Sequence, residues 1–209
     1  MQQLKRGIVN YEMRWLEKAA KLEKLGRWSD FLAFGREWAD AEPKNFLAWQ
    51  VIGDALSQLN MFEEAIASYR KGLEVAPTVP VEIFGARLSA GALWYRLGNA
   101  YSAQKNFSSA IDAFQAAGRI DPEISVVWNN LGIAYLDMGM GKESEEAFQK
   151  ALAIAPKDLK ILGNLGHLYA RGGIDLGVAD VHKRLAKISR SAAREFLKNA
   201  QEILSRRPR

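Results

Sequence analysis

The residues able to do chemistry are few in this chain, and their spacing is unfavourable for catalysis. There is no cysteine, which removes thiol nucleophiles, thiolate metal sites and disulfides. The two histidines, His167 and His182, stand 15 residues apart with no HExxH-like arrangement between them, so they do not read as a metal site. The carboxylate pairs Glu63–Glu64 and Glu145–Glu146 fall where helices are expected to begin, where negative charge is favourable. The stretch GMGKES, Gly139–Ser144, hints at a phosphate loop. That motif requires glycine where this chain has Leu136, and Ser or Thr where it has Glu143. No nucleophile stands beside a base, so the sequence reads as non-enzymatic, with no cofactor, no metal and no small-molecule substrate.

The frame around these residues is ordinary in bulk. The 209 residues are 48% apolar and 25% charged with a net charge of +5, enough for one or two compact domains and too apolar for a disordered chain. The charge is unevenly placed. Lys157 to Arg209 carries twelve basic and five acidic residues, a net of +7, and everything before it nets −2. No apolar run reaches the 18 residues of a membrane span, and Met1–Tyr11, with Lys5 and Arg6, lacks the apolar region of a signal peptide. The expectation is a soluble, cytoplasmic chain.

The decisive pattern is a repeat. Trp94, Leu97, Gly98 and Tyr101, followed by Ala110, Phe114, Ala117 and Pro122, recur 34 residues later as Trp128, Leu131, Gly132 and Tyr135, followed by Ser144, Phe148, Ala151 and Pro156. Upstream stand Trp49, Ile52, Gly53, Leu56, Ala65, Tyr69, Gly72 and Pro77; downstream, Leu162, Leu165, Gly166 and Tyr169. This is the order W-x2-L-G-x2-Y, A-x3-F, P, and the chain resembles the tetratricopeptide repeat (TPR) family. The resemblance implies an all-α, right-handed superhelical solenoid of antiparallel helix pairs spanning 1–209.

Full repeats are expected at 46–79, 91–124 and 125–158, with a degenerate repeat at 159–186. Trp15 and Pro43 mark a weaker opening copy at 12–45, a degenerate repeat or N-terminal cap whose small positions hold Phe31 and Trp38. Small residues such as Gly98, Ala110 and Ala117 let helix backbones approach, aromatics fill the gaps, and Pro77, Pro122 and Pro156 close each second helix. Tryptophans 49, 94 and 128 are read as packing residues rather than stacking platforms. Gly53 to Gly98 spans 45 residues, so eleven extra residues fall near 80–90. Val81, Phe84 and Leu88 share a helical face, and the insertion is expected to extend the next helix after Pro80. Residues 187–209 read as a basic capping helix with Ala192, Phe196, Ala200, Ile203 and Leu204 inward and Arg190, Arg194, Lys198, Arg206 and Arg207 outward.

Binding is expected in the concave groove. Positions 5, 9 and 13 of each first helix form one stripe, with position 6 beside it. The stripe comprises Gln50, Val51, Asp54, Gln58; Tyr95, Arg96, Asn99; Asn129, Asn130, Ile133, Asp137; and Asn164, His167, Arg171, with Lys160 on its rim. Its amides suit an extended peptide whose acidic end points toward Lys160 and Arg171. Some TPR proteins clamp chaperone C-terminal carboxylates with two lysines, two asparagines and an arginine. Asn99, Asn130 and Lys160 match three of those positions, but Tyr95 and Asn164 replace the other lysine and the arginine, which argues against that ligand. The reading is a protein-binding adaptor or scaffold that holds a peptide segment or helix of a partner. The weaker alternatives are a component of a bacterial secretion or pilus-type assembly, and nucleic-acid or anionic-membrane binding through the basic end. A solenoid's ends also permit self-association.

Overall fold

The computed structural model describes residues 14–77, 81–83 and 86–206, the side chains of 81–88 excepted. The expectations placed on Met1–Tyr11, Pro80, Phe84 and Arg207 lie outside the described residues. The chain divides into two compact units, which meet between Lys105 and Asn106, inside the turn of the 91–124 repeat.

The first unit contains α1 (14–24), α2 (Trp28–Ala41), α3 (Phe46–Gln58), α4 (Phe62–Val75), strands β1 (Val81–Ile83) and β2 (Ala86–Leu88), and α5 (Ala90–Ala103). The second contains α6 (Phe107–Ile120), α7 (Ser125–Asp137), α8 (Gly141–Ile154), α9 (Leu159–Gly172), α10 (Asp175–Ile188) and α11 (Arg190–Ser205).

The turns between paired helices show why the register is 34. Gly26, Asn60, Lys105, Gly139 and Gly173 all have left-handed backbone, with φ between 59° and 75°. They are spaced 34, 45, 34 and 34 apart, so the same tight turn recurs across the insertion. Glycine adopts this conformation without strain and asparagine tolerates it. Gly139 therefore explains the GMGKES stretch: it is an interhelical turn. At the other ends, α4, α6 and α8 stop at Val75, Ile120 and Ile154, each two residues before a proline, because the residue preceding proline is driven out of helical backbone. Side-chain caps start the following helices: Asn45 for α3, Asp158 for α9 and Ser189 for α11.

Packing uses the small residues as predicted. A Cβ on Gly53 would lie 2.3 Å from the Tyr69 ring, and one on Gly132 would lie 2.7 Å from Phe148. Only glycine lets α4 and α8 close on their partners. Ser144, at an alanine position, is fully buried and donates its hydroxyl to the Gly132 carbonyl at 2.8 Å, which removes the cost of its polarity. The opening helix pair is filled by aromatics instead. Trp15 stacks on Trp38 (5.6 Å between centroids, 7° between planes) and tilts against Phe34 at 5.3 Å.

The packing role of the tryptophans is visible in two repeats. The Trp49 and Trp128 indole N–H groups donate to the Pro43 and Pro122 carbonyls, at 2.9 and 2.8 Å, and Lys71 and Lys150 sit over the two rings. Neighbouring pairs are also joined through the repeat tyrosines. Arg70 donates to the Tyr101 hydroxyl at 2.6 Å, Gln115 donates to that of Tyr135 at 2.7 Å, and the Tyr169 hydroxyl donates to Glu145 at 2.7 Å.

The insertion differs from expectation. It does not extend α5: β1 and β2 pair antiparallel in the register Val81↔Leu88, Glu82↔Arg87, Ile83↔Ala86, and α5 starts at Ala90 under the Ser89 cap. The reason is local chemistry. Val81 and Ile83 are β-branched and favour extended backbone. Only two residues separate the strands in the sequence, a connection short enough for an antiparallel pair.

Candidate partner-binding site

The predicted stripe falls into separate groups in the two units. In unit 1, Tyr95, Arg96 and Asn99 of α5 share a cavity of about 400 Å³ with Asp54 and Gln58 of α3. Arg96 directs Nε at both oxygens of Asp54, at 2.8 and 2.9 Å. The Tyr69 hydroxyl donates to Asp54 Oδ1 at 2.8 Å and lies 3.1 Å from the Ser57 hydroxyl, and Gln50 hydrogen-bonds the same carboxylate. Gly53 makes this possible, since the Tyr69 ring reaches its place only over a residue with no side chain.

Electrostatics follow from burial. Desolvation pushes the Asp54 carboxyl above its usual range, against the pull of Arg96 and of the hydrogen bonds from Tyr69 and Gln50. Burial opposes the Arg96 charge too, but the Asp54 carboxylate prevails and raises its pKa. The Tyr69 hydroxyl is driven well up by burial and by the adjacent carboxylate, so it remains a neutral donor. These groups spend much of their hydrogen bonding on one another. Val51 departs from the stripe altogether: at position 6 it is buried, 2.9 Å from where a Cβ on Gly35 of α2 would stand. The opening helix pair covers it.

In unit 2 the helices α7, α9 and α11 lie side by side. Asn164 of α9 donates to the Asn129 side chain of α7 at 2.9 Å, and Asn129 donates to Asn130 at 3.2 Å, giving a row of amides across the face. Ile133 is exposed on the same helix. Lys160, Asn164 and His167 line a cleft of about 510 Å³ whose far wall is α11, with Phe196, Asn199 and Ile203. Phe196 seats α11 by packing its ring against Gly166, where a Cβ would be 2.2 Å from the nearest ring atom. Lys160 is capped into position by the first turn that Asp158 closes.

His167 lies exposed at the edge of this cleft. Partial burial and the Arg171 charge lower its pKa from the ordinary 6.5, and Asp137 opposes them, so these three predicted residues share one electrostatic neighbourhood. The sign of the consequence is fixed. As pH falls through 6.5 the unfolded chain takes up the proton first, so stability declines on acidification and levels off below the folded-state pKa. Thermal melts from pH 7.5 to 5 should lose that part of their slope in His167→Gln, about the range where histidine titrates.

Two contributors were missed at the sequence level. Glu195 and Asn199 of α11 line the cleft, four residues apart and in line with Ile203, next to the basic stripe that dominates the sequence of this helix. Their i, i+4 spacing on an inward-leaning face was the available signal. Among the described residues there is no group of three or more His, Asp or Glu arranged to hold a metal ion, and no helix long and apolar enough to cross a membrane.

Helix pairs with one turn geometry, glycine-seated aromatics and tyrosine links define a helical-repeat protein. Three family models, each described as tetratricopeptide repeat, match residues 47–79, 91–124 and 125–158. The chain belongs to the tetratricopeptide repeat family. Solved structures share the fold. A MamA RS-1 double mutant matches with a TM-score of 0.73 at 22% identity, over 86% of this chain and 94% of that one. YrrB, a TPR protein with an unusual peptide-binding site, matches with 0.68 at 18% identity, over 88% and 90%. PilF of Pseudomonas aeruginosa matches with 0.71 at 16% identity, over 92% and 86%. No curated protein matches the sequence.

Proposed function

We propose that this chain is a non-enzymatic protein-binding scaffold that holds a segment of a partner on the α7–α9–α11 face of its second unit. The observation that carries the reading is the cleft of about 510 Å³ between α9 and α11, continuous through Asn164 with the amide row of α7. It combines the two ingredients of peptide recognition. Amide side chains from Asn130, Asn164 and Asn199 can satisfy a peptide backbone, while Phe196 and Ile203 offer apolar anchorage. Lys160 stands at one end and Arg171 in the last turn of α9, with no acidic partner among the ion pairs of the described residues. Glu195 on the α11 wall offsets one of these charges, so the surplus positive charge comes from Arg171, and a partner segment with an acidic end toward that residue is favoured. Membership of the TPR family and the peptide-binding site of the similarly folded YrrB agree with this reading.

The alternatives draw less support. Arg190, Arg194 and Lys198 form an exposed stripe on α11 beside, not within, the cleft, as a solvated outer face would. The likeness to PilF is one of fold and favours no particular assembly. A photo-crosslinking amino acid at Lys160 or Asn199, compared with one at Ala179 on the exposed face of α10, tests where a partner docks.

A further inference from the structure

We propose that the cavity of the first unit is a second recognition site, which takes an arginine side chain from a partner polypeptide. It is built from other elements than the face assigned above and has the opposite charge preference, and so does not depend on that assignment.

The cavity measures about 400 Å³, ample for one arginine side chain. Its charged lining groups are Glu23, Asp54 and Arg96. Arg96 is held by both oxygens of Asp54, so that pair is internally neutral. Glu23, at the end of α1, is left as the net charge of the site. Its field reaches the cavity floor, since it helps raise the pKa of Arg96. Glu23 forms none of the ion pairs found among the described residues.

The walls add a second, independent preference. Trp28, Phe62 and Tyr95, from α2, α4 and α5, bring three aromatic rings to one cavity beside that carboxylate. Aromatic faces attract cations through their quadrupoles, and a guanidinium both stacks on them and forks to a carboxylate. The Gln58 side chain lies at the same opening and is exposed, offering an amide oxygen to a planar donor group. An anionic ligand would instead have to displace Asp54 from Arg96 and face Glu23. A carboxylate-bearing peptide end is therefore disfavoured here, though it suits the cleft of the second unit.

The test uses the full chain and a defined probe, acetyl-Gly-Arg-Gly-amide, with acetyl-Gly-Glu-Gly-amide as its counterpart. Binding is followed by the indole N–H resonance of Trp28, assigned through Trp28→Phe. The arginine peptide should give a saturable shift, and its dissociation constant should rise about three- to fivefold in Glu23→Gln, the scale of one exposed charge pair. In Glu23→Lys saturation should vanish. Glu23 is exposed, so both variants should fold, which their melting curves will verify. No saturable shift with the arginine peptide, an equal response to the glutamate peptide, or unchanged affinity in Glu23→Lys would each overturn the proposal.

Discussion

Gly166→Ala is expected to unseat α11 and destabilise the second unit by about 3 kcal/mol, the upper range for forcing extra volume into a packed core. The added Cβ would lie 2.2 Å and 2.5 Å from atoms of the Phe196 ring and 2.9 Å from Val181. Both neighbours are buried, so neither can swing into solvent to make room. Relief requires the α9–α11 contact to open, which removes the far wall of the cleft. Amide exchange should accelerate through Arg190–Ser205 while α7 and α8 keep their protection. Gly163→Ala is the internal control. It lies three residues away on the same helix, and nothing stands within 4 Å of its Cβ. There the better helix propensity of alanine should leave stability unchanged or raise it by up to about 1 kcal/mol. One substitution type with opposite signs on adjacent turns would show that packing, not backbone preference, decides the difference.

Asp54→Asn is expected to cost the first unit about 2–3 kcal/mol. Breaking a buried ion pair from one side costs more than that when desolvation is complete, because the remaining charge is stranded. Here the Asp54 and Arg96 side chains keep 20% and 31% exposure, and water recovers part of the loss. The Tyr69 hydroxyl and Gln50 would also lose a carboxylate acceptor. The double variant Asp54→Asn, Arg96→Met should regain much of the stability lost by the single one, since no charge is then left uncompensated. Urea unfolding of the wild type, both single variants and the double variant measures the coupling. A double variant as unstable as the sum of the singles would mean the pair contributes no mutual stabilisation.

The repeats were legible because a 34-residue register is imposed by local chemistry repeated in place. The prolines two positions past α4, α6 and α8 and the glycines beneath aromatic rings are each readable one at a time, whereas the left-handed backbone at Lys105 is not. Ser144 could be read as a tolerated stand-in for alanine, but not the carbonyl its hydroxyl would find. The insertion misled for a reason of period: Val81, Phe84 and Leu88 satisfy helical spacing, yet the β-branched Val81 and Ile83 favour the extended backbone of a strand. The site was legible only as a set of positions. Helical spacing puts Asp54 and Arg96 on groove-facing stripes, but it cannot show that they close on each other across 42 residues. Nor does it show that α2 covers Val51. Glu195 and Asn199 were overlooked because α11 was read as a cap with a basic outside, when one edge of it walls a cleft.

The central claim is that a partner docks on the α7–α9–α11 face, and site-specific photo-crosslinking tests it most directly. With the crosslinker at Lys160 and, separately, at Asn199, irradiation in cell extract should join the same partner to both positions. Crosslinking at Ala179 should be absent, and Asn130→Ala combined with Asn164→Ala should abolish the products at the other two. A partner joined only through Ala179, or products at Lys160 and Asn199 indifferent to the asparagine replacements, would contradict the account.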